Sequence, residues 1–283
     1  MHLMMIITAL GLAVGIRLSS PLWSYKMSRW QRSLITFMVP PLLLLMTAIA
    51  VICMGYHGEM LGFQASRFSY LLTIVFLGFS VIRGLEITYR GWLSIQKIKS
   101  YPQTTINHNP ARIIDLTLPY SAQVGFWNSE LIISNGLLET LDHDHLKAVI
   151  AHEKAHAHYH DTFWFFWLGW LKRISFWLPQ TNELWQDLLL LREIRADQKA
   201  AQTVDPLTLA ESLLIIAQEI KKIVTSDGLG VLEAGFNDVE MNNRLEERID
   251  ALFNESDYFR FEAIDWHYIL LILLPLVSIP FHR

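Results

Sequence analysis

The stretch His152-Glu153-Lys154-Ala155-His156 indicates both the local fold and the chemistry of this chain. On a helix, two histidines four positions apart lie on one face, so their imidazoles can bind a single metal ion. The glutamate beside the first histidine can then reach a water molecule bound to that ion. Residues 137–150 carry apolar side chains at helical spacing and lack proline, which predicts the required helix. The pattern is typical of zinc hydrolases.

The composition indicates a membrane protein. Of the 283 residues, 52% are hydrophobic, and the mean hydropathy of +0.28 is high for a water-soluble enzyme. A net charge of −4 provides no basic surface for phosphate groups, so direct binding to nucleic acid is not expected. Cys53 is the only cysteine, which excludes a zinc site built from cysteines. A zinc ion would need histidine and carboxylate ligands.

Four apolar segments are predicted to cross the membrane as helices, at residues 1–18, 34–54, 68–87 and 264–283. The second contains no charged residue, although Pro40 and Pro41 are expected to kink it. The fourth is close to the minimum length for a bilayer and contains Pro275 and Pro280. The chain is therefore predicted to be a mainly α-helical membrane protein.

The positions of lysine and arginine predict the orientation. The connection between the first two spans carries four basic residues, namely Arg17, Lys26, Arg29 and Arg32. The next connection carries only Arg67, so the first is expected on the cytoplasmic side and both termini outside. Residues 1–90 then form a membrane region, and residues 91–263 form a cytoplasmic domain inserted between the third and fourth spans.

Within that domain, residues 111–118 and 123–134 are rich in β-branched and aromatic side chains, which predicts a small sheet. An edge strand at 125–134 could hold an extended peptide substrate, with contacts from Phe126, Trp127 and Asn128. The same stretch could equally form a strand that only covers the core. Residues 184–202 and 206–223 predict amphipathic helices.

Residues 163–178 contain eight phenylalanines and tryptophans, interrupted by Lys172 and Arg173. Tryptophan together with basic residues is typical of a helix at the membrane interface, and we interpret this segment as a membrane-apposed hairpin. The alternative is the buried core of a soluble domain.

A third metal ligand must come from elsewhere in the chain. His158 and His160 follow the motif, but three ligands on one straight helix would spread over about 12 Å, too far for one zinc ion. A second helix offers Glu193 and Asp197, one turn apart: Glu193 can bind the metal while Asp197 orients a ligand histidine. Alternatively, this pair makes only surface contacts with neighbouring arginines.

The predicted reaction is zinc-assisted peptide hydrolysis. A bound zinc ion supplies a water of lowered pKa and polarises the substrate carbonyl. Glu153 is the expected general base, which takes the proton of the water and passes it to the leaving amine. The oxyanion can be held by any of several residues between which the sequence does not choose, namely His143, His145, His158, Tyr159 and His160.

Three segments together resemble a known group of membrane proteases. They are the motif followed by Asp161, the stretch from Arg192 to Asp197, and Arg244-Leu245-Glu246-Glu247-Arg248-Ile249-Asp250-Ala251-Leu252. These resemble the gluzincin core shared by HtpX-type membrane proteases, Ste-type CAAX prenyl endopeptidases and BlaR/MecR-type antirepressor proteases. The last group is the most similar, because it has three spans before and one span after a cytoplasmic protease domain of this size.

The resemblance implies a gluzincin-type α+β protease domain with one zinc ion. It implies three zinc ligands, namely His152, His156 and Glu193, and it assigns the general base to Glu153. It also implies supporting residues around the ligands, namely Asp161, Asp197 and Arg248. The implied substrate is a cytoplasmic winged-helix repressor of the BlaI/MecI/CopY type, and the implied location is a bacterial inner membrane or another internal membrane. Whether the chain forms a homodimer is left open.

The signal that starts cleavage is a separate question. BlaR and MecR continue into an outer penicillin-binding sensor domain, whereas two residues follow the last apolar run here, so direct β-lactam sensing is not expected. On the predicted orientation, an outer group could bind a soft metal such as copper, and it comprises Cys53, Met54, His57 and Met60. The alternative is that these methionines only pack within the membrane.

Two other functions stay open. The chain could be a quality-control protease of the HtpX type, which would cut many unfolded membrane proteins rather than one repressor. It could also be a non-catalytic membrane receptor whose zinc-stabilised domain holds a repressor. Prenyl-protein processing is disfavoured, because the chain has few spans with which to enclose a lipid chamber.

Overall fold

The computed structural model is mostly helical and contains one small four-stranded sheet. It describes residues 2–19, 27–57, 59–60, 63–64, 67–226, 234–254, 261 and 267–281. The chain divides into two compact units. The first comprises Met1–Tyr89, Trp167–Leu188 and Arg260–Arg283, and the second comprises Arg90–Phe166 and Leu189–Phe259. Residues 167–188, which lie within the predicted cytoplasmic domain at 91–263 and include most of its predicted membrane-apposed segment, belong to the first unit.

Three helices are long and apolar enough to cross a membrane: α1 (His2–Ser19), α2 (Arg29–Met54) and α3 (Arg67–Lys99). They support the prediction of a membrane protein. Helix α3 has 33 residues and continues beyond its predicted end at 87. At 1.5 Å per residue it is about 50 Å long, whereas the bilayer hydrocarbon core measures about 30 Å. Two short strands, β1 (Glu59–Met60) and β2 (Phe63–Gln64), pair between α2 and α3.

A buried arginine compensates for a hydrogen bond that the proline pair removes from α2. Proline at position 41 has no N–H, so the carbonyl of Phe37 lacks its usual helical donor. Nη2 of Arg17 in α1 donates to this carbonyl at 3.2 Å, and the guanidinium lies 5.4 Å from the centre of the Phe37 ring. Arg17 thereby replaces a missing helical hydrogen bond and joins α1 to α2.

The predicted fourth span has a different structure. Its described part consists of α10 (His267–Leu273) followed by a 3-10 helix (Leu274–Phe281), and residues 264–266 and 282–283 lie outside the described part. Pro275 and Pro280 lack N–H donors, which disfavours a continuous α-helix. Ile272 packs with Ile35 and Val39 of α2. In the part of the chain that the structure describes, only α1, α2 and α3 are both long enough and apolar enough to cross a membrane.

The second unit contains a sheet of strands β3 (Gln103–Ile106), β4 (Asn109–Ile114), β5 (Ser121–Gly125) and β6 (Ser129–Ser134). The strand order is β3-β4-β6-β5, with β4 and β6 parallel and the other pairs antiparallel. Strand β5 therefore lies at an edge, and β6 lies inside. Strand β3 was not predicted from the sequence.

The prediction of an edge strand at 125–134 is corrected by this topology. Phe126, Trp127 and Asn128 form the turn between β5 and β6. The turn depends on Gly125, which has a φ of 153° and whose added Cβ would lie 2.3 Å from the carbonyl oxygen of Asn128. Only glycine fits such a close approach of backbone.

The remaining helices are α4 (Asn135–Thr140), α5 (His143–His158), α6 (Asp161–Ile174), α7 (Thr181–Ala200), α8 (Pro206–Ser226) and α9 (Ala234–Phe253). The core of the second unit lies between the sheet, α5 and α8. It is built from buried aliphatic residues, namely Ala111, Leu131, Ile133, Leu137, Leu141, Val149 and Ile150, with Ile215 and Ile216 packed against them. Burial of this surface holds α5 in place.

The aromatic segment at 163–178 is α6 followed by a turn. Its aliphatic residues Leu168, Leu171 and Ile174 are buried, whereas its tryptophans Trp164 and Trp167 are about half exposed. Exposed tryptophan is what a membrane-apposed helix would show. Contact of this segment with the bilayer stays a prediction.

Gly136 lies in α4 directly against the chain at residue 117. A Cβ on Gly136 would lie 1.9 Å from the carbonyl oxygen of Thr117, and its N–H donates to the carbonyl of Leu116 at 2.9 Å. We expect Gly136→Ala to lower the free energy of unfolding by about 3 kcal/mol, because the backbone must move apart. Thermal unfolding in detergent measures this, with Gly91→Ala as the control because its Cβ meets no atom within 4 Å. Equal loss in both variants would contradict the close contact.

Candidate metal centre

Helix α5 directs the motif residues into the second unit. Asp142 begins the helix, because its carboxylate accepts hydrogen bonds at 3.0 Å from two backbone N–H groups of the first turn. Val149 and Ile150 fix the helix in the core. One turn further on, His152, Glu153 and His156 are 7%, 5% and 8% exposed. Three polar side chains are thus buried together on one helix.

Three potential metal-binding side chains converge at this point. His152 Nε2 lies 3.1 Å from His156 Nε2 and 3.3 Å from Glu193 Oε2, and His156 Nε2 lies 3.7 Å from Glu193 Oε1. A tetrahedral zinc ion with bonds near 2 Å needs ligand atoms about 3.3 Å apart. The residues therefore fit zinc in both spacing and chemistry. Among the described residues, no other group of three His, Cys, Asp or Glu side chains could hold a metal ion.

His152 is oriented by a buried ion pair. Its Nδ1 lies 2.7 Å from Asp197 Oδ1, and Arg248 of α9 donates to both carboxylate oxygens of Asp197 at 2.7 and 2.9 Å. Burial opposes the charged forms, yet Arg248 and His152 lower the pKa of Asp197, and Asp197 raises the pKa of His152 to about 10. Because Nδ1 of His152 faces the Asp197 carboxylate, Nε2 is the nitrogen directed to the metal position.

His156 has a corresponding arrangement. The chain turns sharply after α5 at His160, whose φ is 52°, and this brings Asp161 back toward the helix. Asp161 Oδ2 lies 2.7 Å from His156 Nδ1, and Arg195 of α7 donates to its other oxygen. The Arg195 guanidinium also lies 4.2 Å from the centre of the Tyr159 ring. Nδ1 of each histidine thus faces a carboxylate, and an arginine donates a hydrogen bond to that carboxylate.

Glu193 has positive neighbours as well as the two histidines. Arg192 donates to Glu193 Oε1 at 2.6 and 3.0 Å, and Arg248 Nη1 lies 3.7 Å from Oε2. Burial favours the neutral acid, but hydrogen bonds from His152 and His156 and the charge of Arg248 hold the pKa of Glu193 well below its usual value. The Arg192 contact that the sequence suggested is present, and Glu193 faces the histidines at the same time.

Glu153 is held by strand β5. Ser121 Oγ donates to Glu153 Oε1 at 2.7 Å, and burial together with the Glu153 charge raises the pKa of the neighbouring Tyr120. Neither residue was predicted. Ser121 is the first residue of the short strand β5 and Tyr120 directly precedes it, and helical spacing gives no signal for a contact with Glu153 more than 30 positions later.

The remaining candidates from the sequence lie elsewhere. His145 contacts Asp142 at 2.7 Å, and His143 and His158 line a separate cavity between α5, the β3–β4 turn and the end of α7. His160 stacks on Trp127 with 4.4 Å between ring centres. The structure does not bring these four histidines to the three ligand atoms.

The predicted outer group gains no support as a metal site. Cys53 is exposed, Met54 is buried, and His57 packs on Tyr56 with 3.8 Å between ring centres. The side chain of Met60 lies outside the described part of the chain. Copper sensing by these residues stays a prediction.

Asp161 offers a test of how the histidines are held. We expect Asp161→Asn to weaken zinc binding by about tenfold to a hundredfold, because an amide does not fix His156 Nδ1–H as a carboxylate does. Competition with a chromophoric chelator measures the affinity. Asp250→Asn is the matched control on an exposed position of α9. Zinc affinity equal to that of the unaltered chain would contradict the role of Asp161.

The centre has the features of a metallopeptidase: two histidines and a glutamate around one point, with a buried glutamate beside the first histidine. Residues 119–180 match the family model of peptidase family M48, whose members are zinc metallopeptidases. The match includes β5, β6, α5 and Asp161 and supports a membrane-associated metallopeptidase. Glu193, Asp197 and Arg248 follow the matched segment. Comparisons with curated proteins and with solved structures found no match.

Proposed function

We propose that the chain is a membrane-embedded zinc metalloendopeptidase that cleaves a cytoplasmic protein. The observation that carries this is the convergence of His152, His156 and Glu193 within 3.1–3.7 Å beside the buried Glu153. The match to peptidase family M48 and the three long apolar helices support it.

The residues of the centre have different proposed roles. His152, His156 and Glu193 would hold zinc, which when bound supplies a water of lowered pKa and polarises the scissile carbonyl. Ser121 already donates a hydrogen bond to Oε1 of Glu153. Oε2 is therefore the oxygen that would accept the proton of the water and pass it to the leaving amine. Tyr120 keeps its phenolic proton because its pKa is raised, and it can donate a hydrogen bond to substrate.

Strand β5 is the proposed binding place for the peptide. In the described part of the chain only β6 pairs with it, so its outer edge can bond an extended segment through main-chain groups. Ser121, at the start of this strand, contacts Glu153 directly. A peptide paired with β5 therefore runs past the general base. This role replaces the one expected for residues 126–128.

The proposed substrate is a winged-helix repressor of the BlaI/MecI/CopY type. Support comes from the resemblance to BlaR/MecR-type proteases in the motif, in the Arg192 to Asp197 stretch and in the three preceding apolar helices. We propose that the second unit lies on the cytoplasmic side, where such a repressor is found, and that the N-terminus lies outside. Cleavage would then release transcription.

The test is cleavage by the zinc-loaded chain in detergent. The substrates are a purified winged-helix repressor of the BlaI/MecI/CopY type, casein, and an unfolded membrane protein, with products identified by mass spectrometry. One cut at one bond of the repressor is the expected result. Broad cutting of casein and the membrane protein would favour quality control of the HtpX type. A repressor that binds but is not cut would favour the receptor.

A further inference from the structure

The second unit contains a cavity of about 580 Å³ beside α5. The helix contributes residues at intervals of one to four positions, namely His143, Lys147, Ile150, Ala151, Lys154, Ala155 and His158. At 100° per residue, the centre of this face is turned about 160° from that of His152 and His156. The cavity is therefore separate from the metal centre, although one helix forms a wall of both.

Basic side chains surround the cavity. They come from the β3–β4 turn, from α5 and from α7, and they are His108, His143, Lys147, Lys154, His158 and Lys199. Lys147 and Lys154 are exposed and make no ion pair with any described residue. No aspartate or glutamate occurs among the described lining residues. The three lysines Lys147, Lys154 and Lys199 thus concentrate positive charge here, whereas the net charge of the whole chain is −4.

The floor of the cavity is apolar. Ile150 and Ala155 are 3% and 2% exposed, and Ala151 and Val204 complete this part of the lining. A ligand that uses the whole cavity therefore needs an apolar group between anionic groups. Free inorganic anions would contact only the basic rim.

One wall is a well-defined turn. Asn107 and His108 have φ values of 48° and 64°, and the strands pair across them at Ile106 and Asn109. This geometry corresponds to a type I′ hairpin turn, which requires positive φ at both central residues. The Asn109 side chain donates to the Asn107 carbonyl at 2.7 Å. His108 is thereby held opposite the lysines of α5.

We propose that this cavity binds an acidic segment of the protein substrate in which carboxylates flank an apolar side chain. The proposal rests on the proposed protease function. It adds a recognition site on the side of α5 opposite the metal centre. A volume of about 580 Å³ lies within the range of ligand pockets and holds a few side chains. Positive charge around a concave site attracts acidic segments and accelerates their encounter.

The test measures binding of a fluorescein-labelled peptide in which glutamates flank a leucine. Fluorescence anisotropy is recorded with the full chain in detergent, carrying Glu153→Gln so that the peptide is not cut. Lys147→Glu with Lys199→Glu changes two walls of the cavity. Lys97→Glu with Lys222→Glu, on α3 and α8, changes the net charge equally outside the cavity.

We expect the cavity variant to bind the peptide about tenfold more weakly and the control variant to bind within about twofold of the parent. Replacing the flanking glutamates by glutamine should weaken binding similarly, as should replacing leucine by serine. Equal binding by both variants would overturn the proposal, as would tripolyphosphate binding without peptide binding. Because an inactive variant is used, absence of proteolysis in the parent chain would count against the proposed function and not against this site.

Discussion

Replacing Glu153 by glutamine is expected to lower the rate of peptide hydrolysis by about 10²- to 10⁴-fold while zinc content stays unchanged. Residue Glu153 is 5% exposed, and Ser121 donates to its Oε1. Glutamine has nearly the same shape and keeps an oxygen for Ser121, but it cannot accept a proton at the other position. The three ligand side chains are not altered.

The experiment compares kcat/KM for the repressor or a peptide derived from it, and zinc per chain by inductively coupled plasma mass spectrometry. Glu139→Gln, at an exposed position of α4, is the matched control and should leave both values unchanged. Cleavage by Glu153→Gln at the rate of the parent would assign the base to another residue. Simultaneous loss of zinc would assign Glu153 to the metal.

The helices that build the centre were predictable because each has a local signal. Apolar spacing predicted a helix before His152, and the His-x-x-x-His spacing placed both imidazoles on one face. The helix boundary was less predictable. Residues 137–150 belong to two helices, α4 and α5, separated at Leu141, because the Asp142 side chain caps a new helix.

Contacts that depend on turns could not be read from periodicity. Asp161 reaches His156 because the chain reverses at His160, a non-glycine residue with positive φ, for which sequence offers only a weak preference. Arg195 then meets Asp161 across 34 positions, and Ser121 meets Glu153 across 32. Asp197 was predictable as a partner of a ligand histidine, since it lies one turn after Glu193.

In the last apolar segment, hydropathy does not predict the type of helix. Residues 264–283 are apolar enough for a span, and hydropathy does not register that Pro275 and Pro280 lack N–H donors. In the described part, the segment is a seven-residue α-helix and a 3-10 helix packed against α2. Proline mattered less at positions 40 and 41, where α2 continues and Arg17 bonds the freed carbonyl.

Replacing Glu193 is expected to have the second large effect, which is loss of the metal. It is the ligand supplied by α7, and its carboxylate brings negative charge to a position flanked by Arg192 and Arg248. Glu193→Gln leaves two histidines as strong ligands and removes the negative charge that both guanidinium groups contact. We expect zinc affinity to fall about a thousandfold, which corresponds to about 4 kcal/mol.

Chelator competition measures that affinity, and circular dichroism verifies that α7 is retained. Glu246→Gln, at an exposed position of α9, is the matched control and should bind zinc like the parent. Glu193→His restores a nitrogen ligand at the same position and is expected to recover part of the affinity, because three histidines also form zinc sites. Partial recovery would separate a ligand role from a purely structural one. Full zinc affinity in Glu193→Gln would show that the third ligand comes from another residue.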